Sequence, residues 1–311
     1  MFSAKSNTFA LLFMKKNTAI TYSALILSMV FWSFSYIWIK EVYKYLNPLT
    51  TVLFRLIISS VFLFALTLIL KKLEKVKMRD IPQFLLLSFF QPFMYFLGES
   101  YGISLVSPTV AAIMISTIPL FVPFSMYFLA KEPLGSNNFL GIIISFFGVL
   151  MVVLNKDLTL AASPVGLMFM GVAVCSVLGY SYLLQNILKK YTAYTIVTVQ
   201  NFIGIFYFLP LVLIIDYKDL ATINWNAELI LNLLALAVFA SSLAYFLFMI
   251  GTKNIGVSKA TIFTYLIPIF TALLSYLIFK EHFTLIKIAG ILVTLAGLFI
   301  GKARFKRKKK I

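Results

Sequence analysis

The sequence predicts an all-α membrane protein, with ten transmembrane helices arranged as two inverted five-helix repeats. Three observations carry that expectation. First, only 12% of the 311 residues are charged and 61% are hydrophobic, whereas a soluble domain is about 25% charged. Too few polar groups remain to cover a water-facing surface. Second, apolar runs of roughly 18 residues or more recur along the chain, the length a helix needs to cross a hydrocarbon core. The ~10-residue segments of alternating polarity that build a membrane β-barrel do not occur. Third, the chain repeats itself. Gly102, Ala111, Pro119, Lys131-Glu132, Gly141 and Gly148 recur as Gly251, Ala260, Pro268, Lys280-Glu281, Gly290 and Gly297, every pair 149 positions apart. One offset held across glycine, alanine, proline and a charged dipeptide marks a duplication, and a duplication sets the architecture before local patterning does.

Charge, proline, asparagine and glycine bound the apolar runs and place helices near 20–39, 49–70, 82–101, 108–129, 137–154, 164–186, 193–215, 229–250, 258–279 and 284–301. The first follows Lys15-Lys16 and ends at Lys40. The second opens after Asn47-Pro48 and stops at Lys71-Lys72. The third follows Arg79-Asp80 and carries Gln91-Pro92 in its middle. The fourth opens at Pro108 and ends before Lys131-Glu132; the fifth runs from Asn137 to Asn155-Lys156. The sixth opens at Pro164 and ends before Lys189-Lys190. The seventh stops at Asp216, the eighth before Gly251-Thr252-Lys253, the ninth before Lys280-Glu281 and the tenth at Lys302. The repeats are then 20–154 and 164–301, flanked by a cytoplasmic segment, 1–19, and a basic cytoplasmic tail, 302–311. Their front parts align at a second offset, which sets Asn47-Pro48-Leu49 against Thr192-Ala193-Tyr194 and Arg55 against Gln200. Residues 9–14 are apolar but too short to span. No small-residue cleavage site follows them or Met14-Lys15-Lys16, so the first helix reads as uncleaved.

Parity fixes the relation between the halves. Five is odd, so the sixth helix runs opposite to the first, and the repeats are related by a pseudo-two-fold axis in the membrane plane. Basic residues set the direction. With both termini in the cytoplasm, 20 of the 27 lysines and arginines fall on the inner side and six on the outer, leaving Arg55 within a span. The expectation is a multi-pass protein of the plasma (inner) membrane. The net charge of +17 belongs to short clusters beside the membrane rather than to one groove with interleaved aromatics, which excludes a nucleic-acid partner. The tail from Lys302 to Lys310 lies on the anionic inner leaflet, at about 1 kcal/mol per basic residue.

Enzyme chemistry finds no support. The single cysteine, Cys175, lies in an apolar run as a packing residue, and the single histidine, His282, sits at a helix end. No phosphate loop, triad or metal-ligand spacing is present, so no cofactor and no metal are expected.

Polar side chains at bilayer depth face interior water or one another. The substrate-lining candidates are Trp32 and Tyr36, one turn apart on the first helix, Gln91 and Tyr95 on the third, Gln200 and Asn201 on the seventh, Ser241 and Tyr245 on the eighth, and Tyr265 on the ninth. Tyr180 and Tyr182 are assigned instead to the interfacial belts. Pro119 and Pro268 kink their helices, and Gly141, Gly148, Gly290 and Gly297 allow close packing. Two ionisable residues lie within spans. Arg55 is about 9 Å inside the outer end of the second helix at 1.5 Å per residue, and Glu99 lies near the outer end of the third. Their helices are antiparallel neighbours, so the two are expected to pair. Two readings stay open: an inert ion pair, or a functional one in which Arg55 attracts a substrate carboxylate and Glu99 is the proton-coupling site.

A mid-span proline, a short turn with Lys-Glu and then a glycine-bearing helix occur twice: Thr117-Ile118-Pro119-Leu120-Phe121 through Lys131-Glu132-Pro133-Leu134 to Gly141, and Ile267-Pro268-Ile269-Phe270 through Lys280-Glu281 to Gly290. Val30-Phe31-Trp32-Ser33-Phe34, Lys40 and Phe54-Arg55-Leu56 stand at the front of the first copy. This pattern resembles the EamA family of the drug/metabolite transporter superfamily over nearly the whole chain, with Ser33 where many relatives carry glycine. The resemblance implies a secondary carrier whose site lies between its repeats. The expected partners are a small amphipathic solute, such as an amino acid or related compound moved outward, the lipid bilayer, and a proton through Glu99. An exchanger of phosphorylated solutes or nucleotide sugars would place several cations in the cavity, and only Arg55 lies within a span. A membrane-embedded enzyme would need converging acid, base or metal residues, and a scaffold would not need mid-span polar groups.

Overall fold

The computed structural model describes residues 3–130, 136–153, 162–256, 260–281 and 284–302. The Lys131-Glu132 turn, Lys156, His282 and the basic tail beyond Lys302 lie outside the described residues. Among those described, every regular element is helical. In chain order they are α1 (Ser3–Val42), α2 (Pro48–Ile69), α3 (Met78–Leu105), α4 in two pieces (Pro108–Ser116 and Ile118–Ala130), α5 (Ser136–Val153), α6 (Pro164–Ile187), α7 (Ala193–Leu220), α8 (Ala227–Ile255), α9 (a tight turn, Thr261–Tyr265, leading into Leu266–Phe279) and α10 (Leu285–Lys302). Each of the ten expected segments is helical over most of its described residues. Seven of them are long and apolar enough to cross a membrane, and three, Phe139–Val152, Phe263–Phe279 and Leu285–Gly297, are shorter apolar helices.

α1 differs from expectation at its start. It continues back to Ser3 rather than opening near residue 20, because lysine is a good helix former and Lys15-Lys16 do not interrupt it. Only Ala19–Val42 has spanning character.

The helices loosen at matched places. In α3, Pro92 supplies no N–H and pushes the residue before it out of the helical region. Gln91 accordingly adopts φ −150°, ψ 120°, within wide turns over Phe89–Met94. At the 149 offset Pro92 corresponds to Ser241, and α8 also widens, over Leu236–Leu243. There the hydroxyls of Ser241 and Ser242 donate to the carbonyls of Leu236 and Ala237 at 3.2 and 2.8 Å. One copy loosens by a missing donor and the other by competing hydroxyls. α4 breaks at Thr117, two residues before Pro119. In α9 the tight turn ends just before Pro268, which sits in the first turn of the helix that follows.

α5 and α10 cross at their glycines. A Cβ on Gly148 would lie 2.8 Å from the Gly290 carbonyl oxygen, and one on Gly297 would lie 2.8 Å from that of Gly141. Between these contacts, Ser145 Oγ donates to the carbonyl of Thr294 at 3.0 Å. Ser145 and Thr294 are themselves 149 apart. Moving up α5 from Gly141 to Gly148, the partners move down α10 from Gly297 to Gly290, so these two equivalent helices run antiparallel. A second matched pair of contacts joins the halves: Gly102 of α3 packs on Met170 of α6, and Gly251 of α8 packs on Leu25 of α1.

Each end of the bundle is tied by a clasp. At one end the α1–α2 loop meets the α7–α8 segment: Asn47 Nδ2 donates to Asp219 at 2.8 Å and Thr50 Oγ1 to Asp216 at 2.8 Å. At the other end the α6–α7 loop meets the α2–α3 loop: Glu74 accepts from the Thr192 amide at 2.6 Å and from the hydroxyls of Thr192 and Thr195 at 2.9 and 3.1 Å. Asn47 and Thr50 are the front-offset equivalents of Thr192 and Thr195.

Cys175 is exposed rather than packed inside. It lies on one face of α6 with exposed Met168 and Val172, since positions four and three apart share a helix face.

Candidate functional site

A cleft of about 880 Å³, its opening included, lies between the two halves. Twenty residues line it, and fourteen of them form seven equivalent pairs: Trp32/Val177, Ser35/Tyr180, Tyr36/Ser181, Phe96/Tyr245, Glu99/Phe248, Ile115/Thr264 and Ile118/Ile267. A cavity walled by the same positions of both copies sits on the axis that relates them.

Seven of the expected residues line it: Trp32, Tyr36, Arg55, Gln91, Tyr95, Glu99 and Tyr245. Tyr95 donates to Glu99 Oε1 at 2.8 Å. The broken backbone at Gln91 brings its amide against the Tyr245 hydroxyl, to which Nε2 donates. Trp32 is held by its Nε1 donating to the Ala240 carbonyl at 3.2 Å, with its ring edge-on to Tyr245 at 5.1 Å.

Arg55 and Glu99 come together as expected, with Arg55 Nη1 3.7 Å from Glu99 Oε2. This exceeds the 2.7–2.9 Å of a charge-assisted hydrogen bond. The guanidinium is positioned from two sides. Nε donates to Ser241 Oγ at 2.8 Å, and Cζ lies 4.0 Å from the centre of the Phe96 ring, within cation–π range. Nη1 is buried with no hydrogen-bond acceptor. Arg55 is the one Lys or Arg among the described lining residues, and Glu99 the one carboxylate.

Four expected residues do not line the cavity. Gln200 stands behind it, where Oε1 accepts from Tyr180 at 3.3 Å. Asn201 donates to Ser59 Oγ at 2.7 Å and to the Ser241 carbonyl at 3.1 Å, and Ser59 bonds Ser242 at 2.7 Å. Ser241 holds Arg55 from this buried layer. These residues are polar because three helices, α2, α7 and α8, pack through them. Tyr265 points away, packed with Leu120 and Leu295 and edge-on to Phe299 at 5.7 Å. The tight turn over Thr261–Tyr265 has three residues per turn, so Thr261 and Thr264 face the cavity and Tyr265 does not.

Tyr180, polar enough for the cavity but read with the belts for its nearness to a helix end, lines the cavity, together with Ser35 and Ser181, which polarity alone does not mark. The duplication carried the signal. Moving Tyr36 by the front offset lands on Ser181, and moving Ser35 lands on Tyr180. Ser33, in place of glycine, is fully buried and donates to the carbonyls of Met29 at 2.8 Å and Ile267 at 3.3 Å, joining α1 to α9.

An all-helical membrane protein made of two similar halves, with a largely apolar cavity on their seam that holds one ion pair, belongs to the class of helical membrane transporters. The chain is a member of the EamA-like transporter family, whose model matches residues 19–154 and again 165–301. It is 26% identical over 252 residues to the uncharacterized transporter YetK of Bacillus subtilis, covering 79% of this chain and 75% of that one. It is 27% identical to the uncharacterized transporter YdfC of the same organism, covering 85% of each chain, and 26% identical to an uncharacterized transporter of Archaeoglobus fulgidus, covering 89% of this chain and 96% of that one. One crystal structure superposes with a TM-score of 0.67 at 15% identity, over 92% of this chain and 96% of the other; it shows a shared fold.

Proposed function

We propose that the chain is a secondary transporter of a small amphipathic metabolite, an amino acid or related compound, exported across the plasma membrane by alternating access. In this reading all ten helices span the bilayer as two inverted repeats, 20–154 and 164–301, with both termini in the cytoplasm. The observation that carries it is the cavity built from seven equivalent pairs of positions. A site on the axis between two copies is reached from either face by the same rocking motion in opposite senses. The antiparallel crossing of α5 and α10 supports the inversion, because the equivalent helices of two inverted units run in opposite directions.

The cavity wall suits an amphipathic solute. At 1.5 Å per residue, Arg55 lies about 10 Å from the start of α2, and Glu99 lies at matching depth in α3. The remaining wall includes Phe96, Ile115, Ile118, Phe248 and Ile267. A polar group meets the ion pair while an apolar body meets the rings and branched chains. A single lining cation argues against phosphorylated solutes, which call for several.

The test is solute flux in liposomes that contain the purified chain, run against a metabolite panel in both vesicle orientations. Saturable uptake of one solute class supports the reading. A chain of correct fold that moves none of them, in either orientation, removes it.

A further inference from the structure

We propose that the cavity carries an organic monocarboxylate together with one proton: the substrate carboxylate takes the open Nη1 of Arg55, and Glu99 takes the proton. The inference rests on the carrier reading above and narrows its solute, from an amino acid or related compound to a carboxylate that brings no ammonium group.

The argument starts from what the site lacks. Arg55 Nη1 is a buried donor with no acceptor, and its carboxylate neighbour stands off at 3.7 Å. The guanidinium is held by Ser241 and Phe96, which position it short of that carboxylate. A buried, unmet donor of a cation calls for an acceptor. A ligand carboxylate supplies one.

Charge balance then brings in the proton. Arg55 and Glu99 together are neutral. A second carboxylate would leave two anions on one cation in a buried site, and an unpaired buried charge is strongly disfavoured. Protonation of Glu99 restores neutrality. The proton comes from hydronium or buffer acid in the bulk solution at the open face, leaving water or buffer base there, and adds to the carboxylate; no bond of the substrate breaks. Oε1 is held by Tyr95, so the oxygen facing Arg55 is Oε2. Once protonated, Oε2 becomes a donor beside Nη1, and the bound carboxylate meets two donors.

The groups around Glu99 leave no rival proton site among the described residues. Arg55 reaches it from α2, Tyr36 and Tyr43 from α1, Tyr95 from its own helix and Tyr245 from α8. α6 adds Tyr180 to the same cavity. Apart from Arg55 these are phenols, which carry no charge near neutral pH.

The experiment compares three probes that share a benzyl body and differ in head group: phenylacetate, phenylalanine and phenethylamine. Binding to the purified full chain is followed by thermal stabilisation and by tryptophan fluorescence, since Trp32 lines the cavity. Proton uptake is read in weak buffer. We expect phenylacetate to bind best, to take up close to one proton, and to lose affinity about tenfold per pH unit as pH rises through the range where Glu99 is ionised. Glu99→Gln imitates the protonated acid; it is expected to keep phenylacetate binding while losing both the proton uptake and the pH dependence. Arg55→Gln is expected to lose phenylacetate binding at every pH. Preference for phenylalanine without proton uptake overturns the inference in favour of a zwitterion held between Arg55 and Glu99. Preference for phenethylamine overturns it too, as does failure of all three to bind at millimolar concentration. The wild-type pH series stands by itself if a variant fails to fold. Proton-linked binding without flux in liposomes would sink the carrier reading and leave only the joint binding of a carboxylate and a proton standing; flux of a solute bound without a proton would do the reverse.

Discussion

Arg55 occupies an unusual position for a buried cation. It is 2% exposed, yet its partners are a serine hydroxyl, a ring face and a carboxylate too distant to hydrogen-bond. Ser241 therefore acts on the solute through Arg55 rather than by touching it. Ser241→Ala removes the acceptor of Nε, and a lost hydrogen bond to a charged group is worth about 1.5–3 kcal/mol. Solute affinity should fall by about tenfold or more while the wild-type ranking of solutes is kept, as competition binding will show. Tyr265→Phe makes the opposite prediction. Its ring packs outside the cavity, so solute affinity should match wild type; a clear loss in the same binding assay would return Tyr265 to the site. Trp32 and Tyr245 stack edge-on, so Tyr245→Ala should loosen Trp32 and shift its fluorescence.

The crossing of α5 and α10 depends on the absence of side chains. Gly148 and Gly290 bring backbone against backbone, and the missing Cβ on either is what allows it. Neither helix can move aside without breaking the second contact, Gly141 against Gly297. Gly148→Val should destabilise the fold by about 1–3 kcal/mol, the usual range for overpacking, visible as a lower unfolding midpoint in detergent. The hydroxyl-rich turn of α8 and the proline turn of α3 give these helices wide turns beside the cavity, where irregular backbone is tolerated because it borders protein or water rather than lipid.

The two clasps give the molecule its most direct test of orientation. Asn47 and Asp219 meet at one end of the bundle, Glu74 and Thr192 at the other. If the repeats are inverted and both termini are cytoplasmic, a cysteine at Asn47 reacts with an impermeant thiol reagent added outside intact cells. A cysteine at Glu74 reacts only after the cells are opened. Reporter fusions at the two ends of the chain should give the same sidedness. A cysteine at Thr192, the second-copy equivalent of Asn47, that reacts from the same side as the one at Asn47 would overturn the inverted arrangement, whatever the solute proves to be.

The helical class, the duplication and the near-complete set of helix positions were legible in the sequence, because each rests on patterns local in the chain: run length, boundary residues and a constant offset. The pairing of Arg55 with Glu99 was legible for a related reason, since two antiparallel neighbours joined by a short loop put matched depths together. Which mid-span polar residues face the cavity was not legible. Asn201 and Tyr95 look alike as polar groups in apolar sequence, yet one knots three helices and the other holds Glu99. A helix has several faces, and the choice among them is made by its neighbours. In α9 a tightened turn changed the face outright and carried Tyr265 away. Residue type and spacing determined what this chain had to bury; only the packing of one half against the other decided what was left open between them.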